Sequence, residues 1–314
     1  MKVSTRMQSI RGQCSRPLAF DFRVLAPGCS VSRLLRAACV ISIAVTSTIR
    51  AAEDRASLAT KPPDIRVQAE GFGRVSSGDI TAVLQSVAYE IWRHCQHIRL
   101  DGIDVYHRTD HPEIDFQRTA SGRIAIGLAT QDTYWAQYSF QFAHEFCHAL
   151  ANFGDNPRQL IRYPRSANLW LEESLCETAS LFTLRAMSRT WHTTPPYPAW
   201  QNYAPWFNLY AEQRLALPKH HLPAGMPFVV WFHQNQSALR QNSQIRDRNT
   251  LIAIQLLPLF EREPRGWEAL VFLNRGSRKA NESLAQHLAE WRSQCPDRLH
   301  PFVTRLAAVF AVQS

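Results

Sequence analysis

Apolar and polar residues alternate in three short segments of the front half of the chain, at residues 65–69, 103–106 and 123–128. A period of two is typical of β-strands, whose side chains point alternately to the two faces of a sheet. The clearest of the three segments places Ile124, Ile126 and Leu128 on one face. The sequence therefore predicts a small sheet in this part of the chain.

Apolar residues spaced three or four positions apart predict three helices in the same half, at residues 79–94, about 133–153 and 169–190. Asp132 or Thr133 is a suitable N-cap for the second helix, and Gly154 is a suitable end. The third helix contains neither glycine nor proline. Strands and helices are thus expected to mix within residues 64–192.

The rest of the chain, residues 193–314, is predicted to be mainly helical. It opens with a stretch rich in proline and aromatic residues at 193–207, and a second irregular segment covers 217–227. Apolar residues then return at helical spacing in four segments, at 251–260, 267–273, 282–292 and 302–312. We therefore predict an α+β fold, with a mixed core at 64–192 and a mainly helical subdomain at 193–314.

The positive charge of the chain is concentrated at its N-terminus. Residues 1–52 hold eight of the 35 Lys and Arg residues and one of the 26 Asp and Glu residues. The remaining 27 basic and 25 acidic residues nearly cancel. A nearly neutral body argues against a nucleic acid or an anionic membrane surface as a partner.

The basic front end is typical of a secretory leader. An apolar run at 37–49 follows Arg36, and small residues at 51–52 come after it. The run is shorter than an ordinary membrane span, and its flanks are those of a signal peptide. We predict a signal peptide at 1–52 and a linker at 53–63, which places the folded protein in the periplasm or outside the cell. The alternative is an uncleaved N-terminal membrane anchor.

The stretch HEFCH at residues 144–148 carries the strongest chemical signal. His144 and His148 are four positions apart in a predicted helix, so their side chains lie on one face and can bind one ion together. Glu145 lies about 100° around the helix from His144. It can therefore reach a metal-bound water without being a ligand. The HExxH pattern supplies two zinc ligands and a general base in this way.

A catalytic zinc also needs a third protein ligand and an open position for water. The helix predicted at 169–190 offers Glu172, Glu173 and Glu177. Glu173 and Glu177 are four apart and share a face, so one can bind zinc while the other accepts a hydrogen bond from a ligand histidine. Glu172 is expected to face elsewhere.

The pattern H-E-x-x-H followed by E-x-x-x-E at 173–177 resembles the gluzincin metallopeptidases, such as thermolysin and the zinc aminopeptidases. The stretch WLEESLCE at 170–177 is similar to the W-L-x-E-G-x-A-E stretch of many such enzymes, with Ser174 in place of glycine and Cys176 in place of alanine. The resemblance covers about residues 120–190. It implies a zincin-like catalytic domain, in which a small mixed sheet with an edge strand lies beside an active-site helix and a glutamate-bearing helix.

In this resemblance His144, His148 and Glu173 bind Zn²⁺, Glu145 is the general base, and Glu177 orients a ligand histidine. The expected function is that of an exported zinc metallopeptidase, which hydrolyses a peptide or protein substrate with a zinc-activated water. The motif by which zinc aminopeptidases hold a substrate's amino terminus is missing from the sequence, so exopeptidase activity is not implied. The alternatives are an exported, non-catalytic binding or scaffold protein stabilised by zinc, and a hydrolase of a non-peptide amide.

Three features of such a site stay open. The strand at 123–128 is expected to run along the cleft, where it can pair with an extended substrate. The donor to the substrate oxyanion is one of five residues downstream, namely His192, Tyr197, Tyr203, Tyr210 and His221. Beyond the leader lie four cysteines, Cys95, Cys147, Cys176 and Cys295, which either form disulfides or are buried thiols. Their positions beside the expected ligands make Cys147 and Cys176 neighbours, and hence a candidate disulfide.

Overall fold

The computed structural model describes residues 62–95, 98–155, 167–276 and 281–312. These residues belong to one compact unit, which spans residues 54–314. The predicted signal peptide at 1–52 and most of the predicted linker at 53–63 lie outside the described residues. Within the described ranges, no helix is both long enough and apolar enough to cross a membrane.

A four-stranded sheet forms the β part of the fold. Its strands are β1 (Ile65–Val67), β2 (Ile103–His107), β3 (Glu113–Arg118) and β4 (Ile124–Leu128). They lie in the order β1-β2-β4-β3. The first three in that order are parallel, and β3 runs antiparallel to β4. This mixed sheet within a largely helical chain confirms the predicted α+β class.

Strand β4 lies inside the sheet, which corrects the expectation that it pairs with a substrate. Its backbone is already paired with β2 on one side and with β3 on the other. The edge strand next to β4 is β3, a segment that the sequence did not predict as a strand. Its residues alternate weakly, with Ile114 buried between the exposed Glu113 and Asp115. An exposed edge strand with so few apolar residues gives little periodic signal.

The three predicted helices of the front half are confirmed as α1 (Ser77–Trp92), α2 (Trp135–Phe153) and α3 (Leu169–Thr190). Ser76 caps α1, and its side chain accepts a hydrogen bond of 3.0 Å from the backbone N–H of Asp79. Helix α1 connects the parallel strands β1 and β2, as a crossover helix does. Helices α2 and α3 pack directly against each other.

For α2, the predicted end is confirmed and the predicted N-cap is wrong. Neither Asp132 nor Thr133 caps its start. The helix begins at Trp135, and its N-cap, Tyr134, makes no side-chain capping bond. Asp132 Oδ1 instead accepts a 2.8 Å hydrogen bond from the backbone N–H of Arg74, so its carboxylate is used elsewhere. Gly154 does end the helix. A Cβ at this position would lie 2.7 Å from the Leu150 carbonyl oxygen, so a larger residue does not fit.

Helix α3 is buried along most of its length although many of its residues are polar. Several of its hydroxyl groups bond to the carbonyl oxygens of the preceding turn, as Ser174 does to Trp170 at 2.8 Å and Thr178 to Ser174 at 2.7 Å. These bonds satisfy the two buried hydroxyl groups within the helix itself. Ser174, which stands where the gluzincin stretch has glycine, is therefore accommodated without displacing a neighbour.

The second half of the described chain consists of helices α4 (Ala204–Leu215), α5 (Phe228–Gln241), α6 (Arg246–Arg262), α7 (Leu284–Gln294) and α8 (His300–Val309). A 3₁₀ helix at Pro264–Phe272 takes up most of the predicted segment at 267–273. Helices α4 and α5 were not predicted. Helix α4 begins within the proline-rich stretch, where Pro205 occupies a position at which a helix tolerates proline. Helix α3 packs against α4 and α6 as well as α2, so residues from all four helices can meet.

Candidate metal centre

His144 and His148 lie together on the face of α2 that is turned towards α3. Their ring centroids are 5.1 Å apart. The one-turn spacing of the two residues in a helix produces this arrangement, as the sequence predicts. The side chain of His144 is 21% exposed and that of His148 is 9% exposed. The pair is thus deep in the fold yet open on one side.

Glu173 on α3 brings one carboxylate oxygen between the two rings. Its Oε2 atom lies 3.4 Å from Nε2 of His144 and 3.8 Å from Nε2 of His148. Both distances exceed the usual 2.7–3.2 Å of an N–H···O hydrogen bond. Zinc binds nitrogen and oxygen at about 2.0–2.2 Å, which places neighbouring ligands of a tetrahedral ion about 3.3–3.6 Å apart. The first distance lies within this range, and the second lies slightly above it.

The other ring nitrogens face carboxylates as well. Nδ1 of His144 lies 3.7 Å from Oε2 of Glu177, and Nδ1 of His148 lies 2.8 Å from Oε1 of Glu172. A carboxylate at Nδ1 fixes the ring and leaves Nε2 free to bind an ion. The position of Glu177 fits the role predicted for it. The expectation that Glu172 faces elsewhere is wrong. Helix α3 packs so closely on α2 that two faces of α3 reach the histidines.

Glu172 is held by two buried amides that come from distant parts of the chain. Asn152 Nδ2 donates to its Oε1 at 2.6 Å, and Asn274 Nδ2 donates to its Oε2 at 2.9 Å. Asn274 Nδ2 also lies 2.7 Å from Asn152 Oδ1, so the two amides are linked. Two donors to one carboxylate stabilise its charged form in a buried position.

Glu177 is held from the other side of the site by residues of α4 and α6. Its Oε1 accepts a hydrogen bond of 3.0 Å from Arg214 and lies 2.9 Å from the hydroxyl oxygen of Thr250. Arg214 also lies over the ring of Phe140, with its guanidinium carbon 4.4 Å from the ring centroid. These contacts fix the Glu177 carboxylate relative to His144.

The charges of this cluster favour a cation between the rings. Burial lowers the pKa of His144, but Glu173 and Glu177 outweigh burial and raise it to about 10. Burial also lowers the pKa of His148, but Glu173 and Glu172 outweigh burial and raise it well above its usual value. Burial alone would raise the pKa of Glu173, but the two histidines hold it below its usual range. A bound metal ion supplies the positive charge that these carboxylates attract.

Glu145 is the most enclosed acid of the cleft. Its residue is 4% exposed. Burial raises the pKa of its carboxyl group, while the two histidines and the backbone amide of Ile114 act in the opposite direction. The carboxyl group thus lies between the metal-binding face of α2 and the edge strand β3. A carboxyl group in such surroundings is suited to accept and return a proton.

The two histidines, Glu145, Glu173 and Glu177 line a cleft of about 550 Å³. The rest of its lining comes from residues 111–114 and Phe116 at the start of β3, and from other parts of α2, α4 and α6 with the residues before α6. The unpaired edge of β3 therefore borders the candidate metal centre. Clefts with a few converging polar groups are the usual place for substrate binding.

Of the five residues considered as oxyanion donors, only Tyr210 lines this cleft. Tyr203 instead accepts a 3.2 Å hydrogen bond from the backbone of Ala136, and His221 bonds to the Leu215 carbonyl oxygen at 2.8 Å. His192 and Tyr197 are exposed away from the cleft lining. The sequence did not point to His111, Arg214 or Arg246, which also line the cleft. His111 lies just before β3 and Arg214 lies within α4, two elements that were not predicted. Arg246 lies before the segment at 251–260 in which the helical periodicity appears.

The described cysteines are all free, buried thiols, so of the two alternatives for Cys147 and Cys176 this structure has the thiols and not the candidate disulfide. Burial, together with the neighbouring Cys147, raises the pKa of Cys176 well above its usual value. His144, His148 and Cys176 offer ligand atoms within 4.8 Å of one another, so this group can hold a metal ion. Glu173 borders the open cleft with a side chain that is 21% exposed, whereas Cys176 is a completely buried thiol.

The chain matches no protein-family model, and no curated protein or solved structure is significantly similar to it.

Proposed function

We propose that this protein is a zinc-dependent hydrolase of peptide bonds. The proposal is carried by the position of Glu173 Oε2, which lies 3.4 and 3.8 Å from the Nε2 atoms of His144 and His148. One carboxylate oxygen and two histidine nitrogens are a ligand set that catalytic zinc sites use. The resemblance of residues 120–190 to gluzincin metallopeptidases supports the same ligands and a zincin-like fold.

The openness of the site supports a catalytic rather than a structural role. Structural zinc sites use four protein ligands, whereas catalytic sites use three and leave one position to water or substrate. Here three proposed ligands converge. The side chains of His144 and Glu173 are each 21% exposed, and both line the cleft. When bound there, zinc supplies an acidified water and a positive charge that polarises a carbonyl group.

Glu145 acts as the general base in this proposal. It accepts a proton from the attacking water and returns it to the leaving amine. Burial raises the pKa of its carboxyl group, which makes the carboxylate a better proton acceptor than an exposed glutamate. Replacement by glutamine keeps the shape of the side chain but removes this function.

Strand β3 and Tyr210 provide the remaining parts of a peptide site. An extended substrate can add to the free edge of β3 through main-chain hydrogen bonds, with its side chains directed alternately into the cleft. Tyr210 is the candidate donor to the carbonyl oxygen of the substrate as that oxygen becomes negatively charged. Burial raises the pKa of Tyr210, so its hydroxyl group keeps its proton near neutral pH.

Export remains part of the proposal and rests on the leader at 1–52 and the nearly neutral body. The polar linker at 53–63 fits a boundary between such a leader and the described fold. N-terminal sequencing of the protein recovered from the periplasm or the medium shows whether the leader is cleaved.

Elemental analysis of purified variants tests the metal centre. The wild-type protein should contain about one zinc per chain, and His148→Ala and Glu173→Ala should both lose it. Cys176→Ala is the matched control, because it removes the competing ligand and should retain zinc. Zinc lost with Cys176→Ala but retained with Glu173→Ala would overturn the assignment of the third ligand. A folded wild type that binds no added zinc would overturn the proposal itself.

A peptide-library cleavage screen then tests the activity. Glu145→Gln should retain zinc and lose hydrolysis by a factor of about 10²–10⁴, because it removes the general base alone. A zinc-loaded wild type that cleaves no peptide would favour the scaffold function over the enzyme.

A further inference from the structure

One cation in the cleft, Arg246, has no side-chain partner among the described residues. Outside the metal centre, the acids and the remaining arginine of the lining are paired: Glu113 with Arg108 at 2.8 Å, Arg214 with Glu177 at 3.0 Å, and Asp247 with Lys219 at 2.8 Å. Arg246 lines the same cleft, is exposed, and makes no side-chain hydrogen bond, ion pair or ring contact with any residue in the described ranges. Its charge is therefore available to a molecule that enters the cleft.

The backbone that carries Arg246 is fixed relative to the metal centre. Arg246 is the first residue of α6, and its carbonyl oxygen lies 3.0 Å from the hydroxyl oxygen of Thr250. The same hydroxyl oxygen lies 2.9 Å from Glu177, whose other oxygen faces Nδ1 of His144. One residue thus connects the start of α6 to the carboxylate that orients a ligand histidine. The backbone of Arg246 is thus anchored to the surroundings of the metal centre, while its side chain lines the cleft.

An arginine in this situation recognises an anion on the substrate. The groups that a peptide offers are the side chains of Asp and Glu and the terminal carboxylate. A guanidinium group binds these planar carboxylates through two parallel hydrogen bonds. The neighbouring acids of the cleft are neutralised by their own partners, so they do not compete for Arg246.

We propose that Arg246 determines substrate specificity by binding a carboxylate of the substrate near the scissile bond. This inference rests on the proposed peptidase function and specifies its substrate class. It predicts that the enzyme prefers peptides with an acidic residue, or a free C-terminus, at one defined position relative to the bond that is cleaved. A lysine-rich or uncharged peptide is expected to be a poorer substrate.

Matched peptides test the preference. Each pair differs only by Glu or Gln at one position, scanned on both sides of the scissile bond, and a parallel set carries a free or an amidated C-terminus. The wild type should show a ratio of kcat/KM of about 3- to 10-fold in favour of the carboxylate at one position. The position at which the ratio appears identifies a side-chain or a terminal carboxylate. The ratio should decrease at high salt, because the contact is solvent-exposed.

Variants of Arg246 connect the preference to this residue. Arg246→Gln should abolish the preference, and Arg246→Glu should reverse it in favour of a Lys-containing peptide. The matched control is Arg262→Gln, which removes the same charge from the exposed far end of the same helix and should leave the preference unchanged. Binding of fluorescent peptides to the inactive Glu145→Gln variant should show the same ratio in Kd without any turnover.

The outcomes separate this inference from the proposed function. A wild type that cleaves Glu and Gln peptides equally well, or a preference that survives in Arg246→Gln, would overturn the inference and leave the peptidase intact. If the zinc-loaded wild type cleaves none of the peptides, the peptidase function fails and the inference fails with it.

Discussion

Oε1 of Glu172 lies 2.8 Å from Nδ1 of His148. This contact joins the second histidine of the HExxH helix to a residue that the sequence places next to the proposed ligand Glu173. The carboxylate also accepts hydrogen bonds from Asn152 and Asn274. Glu172 is therefore a positioning residue for His148, held from three directions.

The first prediction concerns Glu172→Gln. The amide keeps the size of the side chain, but in either orientation its NH₂ group faces one of the donors that now bond to the carboxylate. We expect zinc affinity to fall by about 10- to 100-fold and the free energy of unfolding to fall by about 1–3 kcal/mol. Competition with a zinc-binding dye and urea unfolding measure the two effects. The control is Glu212→Gln, whose side chain is 49% exposed; equal effects in both variants would contradict the positioning role.

The second prediction concerns removal of the metal. Chelation leaves the carboxylates of the site without the cation that they surround, so the folded state should lose the free energy of zinc binding. At a zinc concentration of 100 times Kd this energy is about 2.7 kcal/mol, which corresponds to a decrease in Tm of roughly 5–10 °C for a chain of this size. Differential scanning fluorimetry with and without zinc measures the shift. Glu173→Ala should show no zinc-dependent shift, and a full shift in that variant would place the metal elsewhere.

The elements that carry the proposed metal ligands could be predicted from the sequence because each has a strong local signal. Helices α2 and α3 are long, periodic and free of internal proline, and α3 has the predicted bounds. The spacings of His144, His148, Glu173 and Glu177 place each pair on one helical face whatever the rest of the fold does. The structure brings all four together.

The surroundings of those ligands could not be predicted because they depend on contacts between distant segments. Glu172 meets His148 only because α2 and α3 pack closely, and its partner Asn274 lies 102 residues further along the chain. Strand β3 has little apolar periodicity, so its place at the sheet edge follows from pairing with β4. Tyr210 and Arg246 reach the cleft on helices whose starts carry no side-chain capping bond.

The third prediction concerns the cysteines. Cys147 and Cys176 are both completely buried, and burial raises the pKa of Cys176, so neither thiol is accessible to a polar reagent in the folded protein. We expect iodoacetamide to label Cys95, Cys147, Cys176 and Cys295 without prior reduction, but only after unfolding in guanidinium. Peptide mapping by mass spectrometry identifies the labelled residues. A crosslinked peptide containing Cys147 and Cys176 from unreduced protein would show that the pair is oxidised instead.

The fourth prediction concerns the pH dependence of stability and His94. Burial, followed by the charges of Arg93 and Arg265, lowers the pKa of His94 to about 4. Its ring packs edge-on against Phe182, with 6.2 Å between ring centroids, and its Nε2 atom is buried without a hydrogen-bond partner among the described residues. An unfolded histidine has a pKa of about 6.5. The unfolded state therefore takes up a proton first, and the contribution of His94 to stability is complete above pH 6.5 and decreases as the pH falls towards 4.

His94→Phe removes this titration and keeps an aromatic ring against Phe182. Because His94 is only partly buried, we expect the wild type to lose on the order of 1 kcal/mol more than the variant between pH 7.5 and pH 5. Urea unfolding of both proteins across this range measures the difference in slope. His233→Gln is the control, because His233 is exposed and its replacement should leave the slope of the wild type unchanged. Parallel curves for wild type and His94→Phe would show that His94 is protonated to the same extent in the folded and unfolded states, which is incompatible with its buried position against Phe182.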